Sequence, residues 1–384
     1  MHIGAVLLLL VSPALLKAEE TNMNMFDGFP PIGIESKRQR STSVIASDPV
    51  KGLLRPKWCR PMADFGSSVT MFRFKGAIYF AHGAGDGHRG TKPGEEDKRF
   101  IYVSKDEGKT WTSTPQPRGA RFGKYLRCLN GKLYDFWFEG ENEKGFTWVQ
   151  TSGDGVKFSR KRKVYKPQYW LYEVIYDQES KMFWCAAQST VSGKGADGQP
   201  IPRDVHLIRS SNCLDWKHVS TLPAVNVNVS EAAMRFEPDR TIVVVVRRKW
   251  TDDFCSLAIA KPPYKQWEEA NQRQVAEGHS FFECGGQTFM GSRAYYRGQI
   301  PELKESKTLR YVSKDGVAYT VIHKFTKDRK LVPWAVVDSM GDCSYPRFVE
   351  TPTEVLVAYY SEHEDNICKP YLAAFDKAAF LRGK

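Results

Sequence analysis

Acidic, basic and tyrosine side chains stand in this chain at spacings that could support acid–base chemistry or bind an anion. Glu231 and Arg247 lie sixteen residues apart around a valine-rich run, and Arg248 follows directly. A carboxylate can accept or donate a proton, and the planar guanidinium of an arginine matches a carboxylate with two hydrogen bonds. A second group, Asp342 and Tyr345, lies near the C-terminus. Two simpler hypotheses stay open: a buried ion pair for Glu231 with Arg247, and a packed strand position for Tyr345.

The turn motif of residues 104–111, Ser-Lys-Asp-Glu-Gly-Lys-Thr-Trp, is an Asp-box. In such a turn Ser and Asp hydrogen bond the local backbone, Gly takes a positive φ, and the Trp ring packs beside the hairpin. The motif is structural, so Asp106 is excluded from any active site. Weaker copies begin at Ser152, Ser210 and Ser313, and residues 260–267 keep only the terminal tryptophan.

The copies that begin with serine start 48, 58 and 103 residues apart in turn, so the period is close to fifty residues. Short strand-like runs fill each period between Gly, Asn and Asp turns, and no sustained helical periodicity is present. This pattern predicts an all-β fold, a six-bladed β-propeller over residues 55–384 with about 55 residues per blade. A propeller brings its innermost strands to one axial funnel, where residues distant in sequence can meet.

Two segments resemble the sialidase superfamily. Residues 230–248 have its pattern of a Glu before a strand, a turn and a second strand that ends in Arg, and residues 342–350 look like its last-blade segment. The similarity is closer still to secreted, sialidase-like proteins with BNR (Asp-box) repeats and poorly defined activity, and it runs from about residue 55 to the C-terminus. The short motifs that carry it are Asp64-Phe65-Gly66, Trp170 to Val174, Glu231 with Arg247 and Arg248, Gly285-Gly286 with Arg293, and Gly341-Asp342 with Tyr345-Pro346.

The resemblance implies a glycoside hydrolase that acts on a terminal acidic sugar of the sialic acid or uronic acid type. In sialidases a tyrosine attacks the anomeric carbon, a Glu activates it, an Asp is the general acid, and arginines hold the substrate carboxylate. Carried over, Tyr345 is the nucleophile, Glu231 its base and Arg247 a carboxylate ligand. The resemblance also suggests Asp64 and Asp342 as catalytic carboxylates, and Arg248, Arg293, Arg60 and Glu173 as substrate-binding residues.

The first sialidase arginine has no match in this chain. Residues 63–68 read Ala-Asp-Phe-Gly-Ser-Ser where it is expected, with Arg60 upstream. The general acid is open as well, because Asp64 and Asp342 could act as paired carboxylates, or a charged loop before the first Asp-box could supply it. The alternative to an enzyme is therefore a non-catalytic glycan-binding or extracellular-matrix propeller. The acidic and basic candidates in that loop are Asp86, His88, Glu95, Glu96 and Asp97.

The N-terminal sequence predicts a secreted, extracellular protein. Residues 1–18 combine an apolar run with small residues before a cleavage point, as in a signal peptide, and residues 19–54 form a polar leader that we expect to be poorly ordered. No later stretch is long and apolar enough to span a membrane. Asn228 begins an N-glycosylation sequon directly before Glu231, so either the sequon is unused or that turn faces outward.

The formal net charge of +12 favours anionic partners, and in an extracellular protein it favours acidic glycans over nucleic acid. Eight cysteines without a Cys-x-x-Cys pair fit either some disulfides or buried free thiols. His82 and His88 are expected to be polar surface groups, so neither a metal nor a cofactor is predicted. The sequence does not predict an oligomeric state.

Overall fold

The computed structural model of this chain describes residues 53–83, 100–115, 126–140, 144–191, 201, 203–223, 229–248, 255–271, 276–296, 312–313, 316–364 and 367–383. The predicted signal peptide, nearly all of the leader, Asn228 and the charged loop with Asp86 and His88 lie outside these residues. Arg248 has a described backbone, but its side chain lies outside the description.

Twenty-six strands and one helix make up the described part of the chain. In chain order they are β1 (Trp58–Pro61), β2 (Ser67–Phe74), β3 (Ala77–Gly83), β4 (Phe100–Ser104), β5 (Thr112–Pro115), β6 (Leu126–Leu129), β7 (Lys132–Glu139), β8 (Phe146–Ser152), β9 (Arg162–Val164), β10 (Tyr169–Trp170), β11 (Val174–Asp177), β12 (Met182–Ser189), β13 (Val205–Ser210), β14 (Lys217–Thr221), β15 (Val229–Phe236), β16 (Ile242–Arg248), β17 (Ser256–Ala260), β18 (Glu268–Asn271), β19 (Glu277–Cys284), β20 (Gln287–Tyr296), β21 (Val312–Ser313), β22 (Gly316–Phe325), β23 (Leu331–Val336), β24 (Ser344–Glu350), β25 (Glu354–Ser361), β26 (Lys369–Asp376) and the helix α1 (Lys377–Arg382).

These strands form six antiparallel sheets, which are the blades of a six-bladed β-propeller. Strands β2 to β5 form blade 1, β6 to β9 blade 2, β10 to β14 blade 3, β15 to β18 blade 4, β19 to β23 blade 5, and β24 to β26 blade 6 together with β1. The predicted fold class is confirmed.

Blade 6 is completed by the N-terminal strand. Strand β1 pairs antiparallel with β26, from Trp58 opposite Ala374 to Pro61 opposite Tyr371. The first strand of the described residues thus supplies the outermost strand of the last blade. This pairing closes the ring and covers an edge that would otherwise expose unpaired backbone groups.

The valine run of β16 shows why the blades must pack on each other. Val243, Val244 and Val245 are all fully buried, although their side chains alternate between the two faces of the sheet. Val244 packs in one cluster with Trp184 of blade 3, and Val245 packs in another with Met290 of blade 5. A strand covered on both faces is apolar throughout, so the run does not alternate with polar residues.

The Asp-box of residues 104–111 connects the third and fourth strands of blade 1. The hydroxyl of Ser104 donates to Asp106 at 2.8 Å and accepts from the backbone N–H of Gly108 at 2.8 Å. Asp106 also accepts from the backbone N–H of Thr110, and the indole of Trp111 donates to the carbonyl of Gly108 at 2.9 Å. The residues beginning at Ser152, at Ser210 and at Ala260 lie at the same place in blades 2, 3 and 4.

The copy predicted at Ser313 does not lie at such a turn. It falls between β21 and β22, two strands that pair with each other, and β22 is the third strand along the sheet of blade 5. The turn that follows this strand is Thr326 to Lys330, where the hydroxyl of Thr326 donates to Asp328. Blade 5 has a long segment between β20 and β22, which shifts its turn beyond the place that an even spacing predicts.

All eight cysteines are free thiols in the structure, and six of them are buried. This is the second of the two alternatives that their spacing allowed. Within the described residues, no helix combines the length and apolar character needed to cross a bilayer.

Candidate active site

The site is built at the starts of the innermost strands. Each of β2, β15, β19 and β24 has a one-residue shift in its pairing with the next strand, close to its first residue. Such bulges turn a side chain away from the regular alternation of the strand. Ser68, Gly278 and Tyr345 hold corresponding places in three of these bulges, and all three have a positive φ.

Tyr345, Glu231 and Arg247 meet at this end of the propeller. The Tyr345 hydroxyl donates to Oε1 of Glu231. Oε2 of the same carboxylate accepts from Nη1 of Arg247 at 3.0 Å and from the backbone N–H of Gly278 at 2.7 Å. Tyr345 and Glu231 are each only 3% exposed, so this hydrogen bonding takes place in a largely dehydrated setting.

Burial keeps the Tyr345 phenol neutral. It raises the pKa of Tyr345 well above 10, and the negative charge of Glu231 adds to the effect. Burial alone would lower the pKa of Arg247, but the carboxylates of Glu231 and Glu277 outweigh it and raise that pKa. At neutral pH the site therefore holds a protonated phenol whose proton points at Glu231, beside a permanently charged guanidinium.

A chain of charges extends from Glu231 across blades 4, 5 and 6. Arg247 Nη2 lies 2.7 Å from Glu277 Oε1, and Arg293 Nη1 lies 2.9 Å from Glu277 Oε2. Arg293 Nη2 then lies 2.7 Å from Asp342 Oδ1. We call Glu231, Arg247, Glu277, Arg293 and Asp342 the ion-pair chain. It brings together four of the predicted residues and adds Glu277.

Glu277 was not predicted from the sequence, although a signal for it exists. It stands sixteen residues before Arg293, the same spacing that separates Glu231 from Arg247. Glu277 begins β19, and Glu231 lies near the start of β15. The pair of Glu277 with Arg293 therefore repeats, in the neighbouring blade, the pair of Glu231 with Arg247. The lowered pKa of Glu277 follows from this position: burial would raise it, but Arg247 and Arg293 outweigh burial.

Glu173 belongs to a second charged cluster near the propeller axis. Its Oε2 lies 3.0 Å from Arg127 Nη2 and 3.2 Å from Arg347 Nη2. Burial would raise the pKa of Glu173, but the two arginines outweigh it and hold that pKa below its usual range. The neighbouring Tyr172 has its ring 6.4 Å from the Tyr345 ring, so this cluster borders the ion-pair chain. Arg127 and Arg347 are additional residues here that were not predicted from the sequence.

Two predicted site residues take no part in the hydrogen bonds and ion pairs of these clusters. Arg60 is on β1, the outermost strand of blade 6, with its guanidinium 5.0 Å from the centre of the Trp58 ring. Asp64 is exposed and lies between β1 and β2. Asp342 is fully buried and accepts from Arg293 and from the Tyr360 hydroxyl at 2.9 Å, which is the setting of a positioning carboxylate.

The second strand of blade 1 carries His82, at the place in its sheet that Arg247 holds in blade 4. The surface position predicted for His82 is wrong, because the residue is fully buried. Its Nδ1 lies 3.1 Å from the carbonyl oxygen of Gly83, and burial lowers its pKa. A neutral imidazole cannot replace the charge of an arginine at this place.

Comparisons with known proteins agree on the architecture. No family profile matches the chain, and no curated protein matches its sequence. Among solved structures, a Dyadobacter fermentans protein of unknown function has a TM-score of 0.60 at 16% identity, with 84% of this chain and all of that one covered. Trypanosoma rangeli sialidase with the inhibitor DANA has a TM-score of 0.55 at 12% identity, with 86% and 59% covered.

The phage phi92 endosialidase gives a TM-score of 0.50 at 10% identity, with 83% of this chain and 69% of that one covered. The chain has a sialidase-like fold. At these identities the likeness concerns the fold alone, and this chain spans little more than half the length of the trypanosomal sialidase.

One group of donor atoms in the sialidase-like propeller has the proximity of a metal site. Atoms of Asp342, Glu362 and Cys368 lie within 4.8 Å of one another, and all three residues are buried. Asp342 already binds Arg293, and Glu362 Oε2 accepts from the Asp342 backbone N–H at 3.0 Å. A cation would have to displace these contacts, so the group is better described as support for Arg293.

Proposed function

We propose that this sialidase-like propeller is a retaining glycoside hydrolase that releases a terminal sugar from an acidic extracellular glycan. The observation that carries the proposal is the hydrogen bond from the Tyr345 hydroxyl to Glu231, whose other oxygen is held by Arg247. A neutral phenol is a weak nucleophile until a base accepts its proton, and Glu231 is in place to do so. The burial of both groups supports the same assignment, since charges act more strongly where water is excluded.

The reaction would proceed in two displacements. In the first, Oη of Tyr345 bonds to the anomeric carbon, its proton passes to Oε1 of Glu231, and the bond to the leaving oxygen breaks. That oxygen takes a proton from a general acid, for which Asp64 is the candidate within the described residues. In the second, water replaces the tyrosine oxygen, Asp64 accepts the water's proton, and Glu231 returns its proton to Tyr345.

The ion-pair chain would keep the base in position throughout. Arg247 and the backbone N–H of Gly278 both donate to Glu231 Oε2, which leaves Oε1 facing the Tyr345 hydroxyl. Donors fixed before the reaction need no reorganisation when charge moves. Secretion and an acidic glycan partner are part of the proposal, and the predicted signal peptide and the net charge of +12 support them.

A second candidate function is a glycan-binding propeller without catalysis. Its specific support is that Arg247 and Arg293 both bind Glu277, while residues 63–68, where the resemblance would place the first arginine, contain none. In that case the charged clusters at the axis would stabilise the fold and the surface would retain the ligand.

Hydrolysis of a panel of fluorogenic glycosides by wild type and Tyr345→Phe separates the two functions. We expect wild type to turn over at least one glycoside and Tyr345→Phe to lose roughly 1,000-fold or more in kcat. Tyr359→Phe is the matched control, because Tyr359 is a buried tyrosine of the same blade whose hydroxyl donates to the Asp338 carbonyl at 2.6 Å. Binding of acidic oligosaccharides by wild type and Tyr345→Phe without turnover in either would favour the second function.

A further inference from the structure

The two arginines of the ion-pair chain are already engaged by carboxylates of the protein. Arg247 uses Nη1 for Glu231 and Nη2 for Glu277. Arg293 uses Nη1 for Glu277, Nη2 for Asp342 and Nε for the carbonyl of Cys343 at 2.7 Å. The carboxylate of Glu277 thus bridges the two guanidiniums, with one oxygen on each.

This bridging position is the one that a ligand carboxylate would need in order to bind both arginines. Glu277 is 6% exposed, and Arg293 is 1% exposed, so the bridge lies inside the protein. A second carboxylate brought to the same guanidiniums would lie within a few ångströms of Glu277. Two carboxylates at that distance disfavour each other's charged form, and burial makes the effect stronger.

The net charge of the ion-pair chain also disfavours binding of a second carboxylate. Its three carboxylates and two guanidiniums give a formal charge of −1 when all are ionised. Arg247 and Arg293 keep Glu277 ionised, since they hold its pKa below the usual range. The chain therefore offers an incoming anion no net positive charge.

The ion-pair chain lies beside Tyr345, so its charges affect which substrate the site accepts. Arg247 and Tyr345 both bind Glu231, one on each oxygen, so the anomeric carbon that Tyr345 attacks would lie next to Arg247. In a ulosonic acid such as sialic acid the carboxylate is attached to that same carbon. In an aldose or a uronic acid the anomeric carbon carries hydrogen instead.

We infer that Glu277 is an internal carboxylate that occupies the anion-binding position between Arg247 and Arg293. It thereby restricts the site to aldosides, meaning hexosides or uronosides, and excludes ulosonic acid glycosides. The inference rests on the proposed function for the part that concerns cleavage. Glu277 is in this account a specificity-determining residue, because it decides which substituent the anomeric carbon can carry.

The test measures binding by calorimetry, so that it does not depend on turnover. The probe is the methyl glycoside of N-acetylneuraminic acid, and the proteins are wild type, Glu277→Gln and Glu277→Ala. We expect no binding to wild type at millimolar concentration and a gain of at least roughly tenfold in affinity in both variants. Micromolar binding to wild type, or no gain in either variant, would overturn the inference.

Glu173→Ala is the matched control. Glu173 also bridges two arginines, Arg127 and Arg347, and its removal adds the same charge to the axis. If only the Glu277 variants gain affinity, the arginine pair Arg247 and Arg293 is the site of the gain. An equal gain in Glu173→Ala would mean that net charge alone attracts the ligand, which contradicts the inference.

If Glu277→Ala folds poorly, its melting temperature in acetate still tests whether a carboxylate belongs at this position. Acetate is a carboxylate small enough to take the place of the lost side chain. We expect sodium acetate to raise the melting temperature of Glu277→Ala more than sodium chloride does, and to have no such effect on wild type. Equal effects of the two salts on the variant count against an internal carboxylate at this position.

Turnover distinguishes failure of the inference from failure of the proposed function. Wild type is assayed against fluorogenic hexosides, uronosides and an N-acetylneuraminic acid glycoside. Cleavage of the aldosides with kcat/KM at least roughly 100-fold above that of the ulosonic acid glycoside supports the inference. Cleavage of the ulosonic acid glycoside overturns the inference, but it is compatible with a tyrosine glycosidase. If no glycoside is cleaved, the proposed function fails. Calorimetry then still decides the role of Glu277.

Discussion

Tyr345 combines an unfavourable backbone with a favourable side-chain contact. Its φ of 52° belongs to a region that bulky residues avoid, and holding such a residue there costs on the order of 1–3 kcal/mol. The bulge of β24 imposes this conformation, and the hydroxyl then reaches Glu231 on a different blade. Strain of this kind persists where the surrounding structure fixes the residue, which is common at functional sites.

Asp338 makes the stability of the fold depend on pH. Burial raises its pKa from 3.8 to about 6, Arg55 at 4.0 Å opposes this rise, and Glu364 adds to it. Because the folded state holds the proton more tightly than the unfolded state, stability is lost as the pH rises from about 4 to 6. The loss amounts to about 3 kcal/mol at most.

Asp338→Asn removes this titration. We therefore expect the variant to be more stable than wild type at pH 7 and to lose most of that advantage at pH 4. Thermal unfolding of both proteins across this range measures the difference. An advantage that is the same at both pH values would show that the pKa of Asp338 is not raised in the folded protein.

Gly278 determines where β19 meets β24. Its φ is +58°, and a Cβ at this position would lie 2.3 Å from the Ser344 hydroxyl oxygen. That hydroxyl donates to the carbonyl of Glu277 at 2.8 Å, and the Gly278 N–H itself donates to Glu231. The close approach of two strands therefore depends on the missing side chain.

Gly278→Ala should lower both the melting temperature and kcat, because the added methyl group must displace Ser344 and with it the support of Glu231. Gly286→Ala is the matched control, since Gly286 has a φ of +73° and nothing within 4 Å of its Cβ position. We expect the control to lose about 1 kcal/mol of stability, the cost of a non-glycine residue at positive φ, with kcat unchanged. Equal effects on kcat would contradict a role for Gly278 in the site.

Elements whose form depends on local chemistry could be predicted from the sequence. The Asp-box at residues 104–111 has the hydrogen bonds that its residue types require, and the valine run of β16 is a buried strand. The position of the turn in blade 5 could not be predicted from an even spacing, because the segment between β20 and β22 changes the period locally.

The ion-pair chain could be predicted only in part. Glu231, Arg247 and Tyr345 were predicted to meet, and the structure brings them together. The bridge through Glu277 depends on how neighbouring blades face each other, and the sequence carries this only as a repeated spacing of sixteen residues. The burial of His82 could not be predicted either, because a single histidine at the end of a strand shows no local pattern that marks it as buried.

For the whole molecule, closure of the ring depends on four residues of the N-terminal strand. Strand β1 pairs with β26 along its full length, and Leu54 forms a further bridge with Ala335. Removing this strand would expose the edge of β26, whose residues Tyr371 to Phe375 are fully buried. A propeller with an open blade loses the mutual support of its first and last sheets.

We expect a variant that lacks residues 1–52 to melt within a few degrees of the full chain. A variant that begins at residue 63 also lacks β1, and we expect it to aggregate or to melt at a much lower temperature. The comparison by differential scanning calorimetry measures what residues 53–62 contribute, namely β1 together with the Leu54 bridge. Similar melting temperatures for the two variants would show that β1 does not hold the ring closed.

Trapping the covalent intermediate decides whether Tyr345 is the nucleophile of the proposed glycoside hydrolase. Wild type is incubated with a 2-deoxy-2-fluoro glycosyl fluoride of the best substrate sugar, digested and mapped by mass spectrometry, with Tyr345→Phe and Tyr359→Phe treated in parallel. We predict one sugar on Tyr345 in wild type and Tyr359→Phe, and none in Tyr345→Phe. A label on a carboxylate such as Asp64, or turnover without any label on Tyr345, would contradict the account.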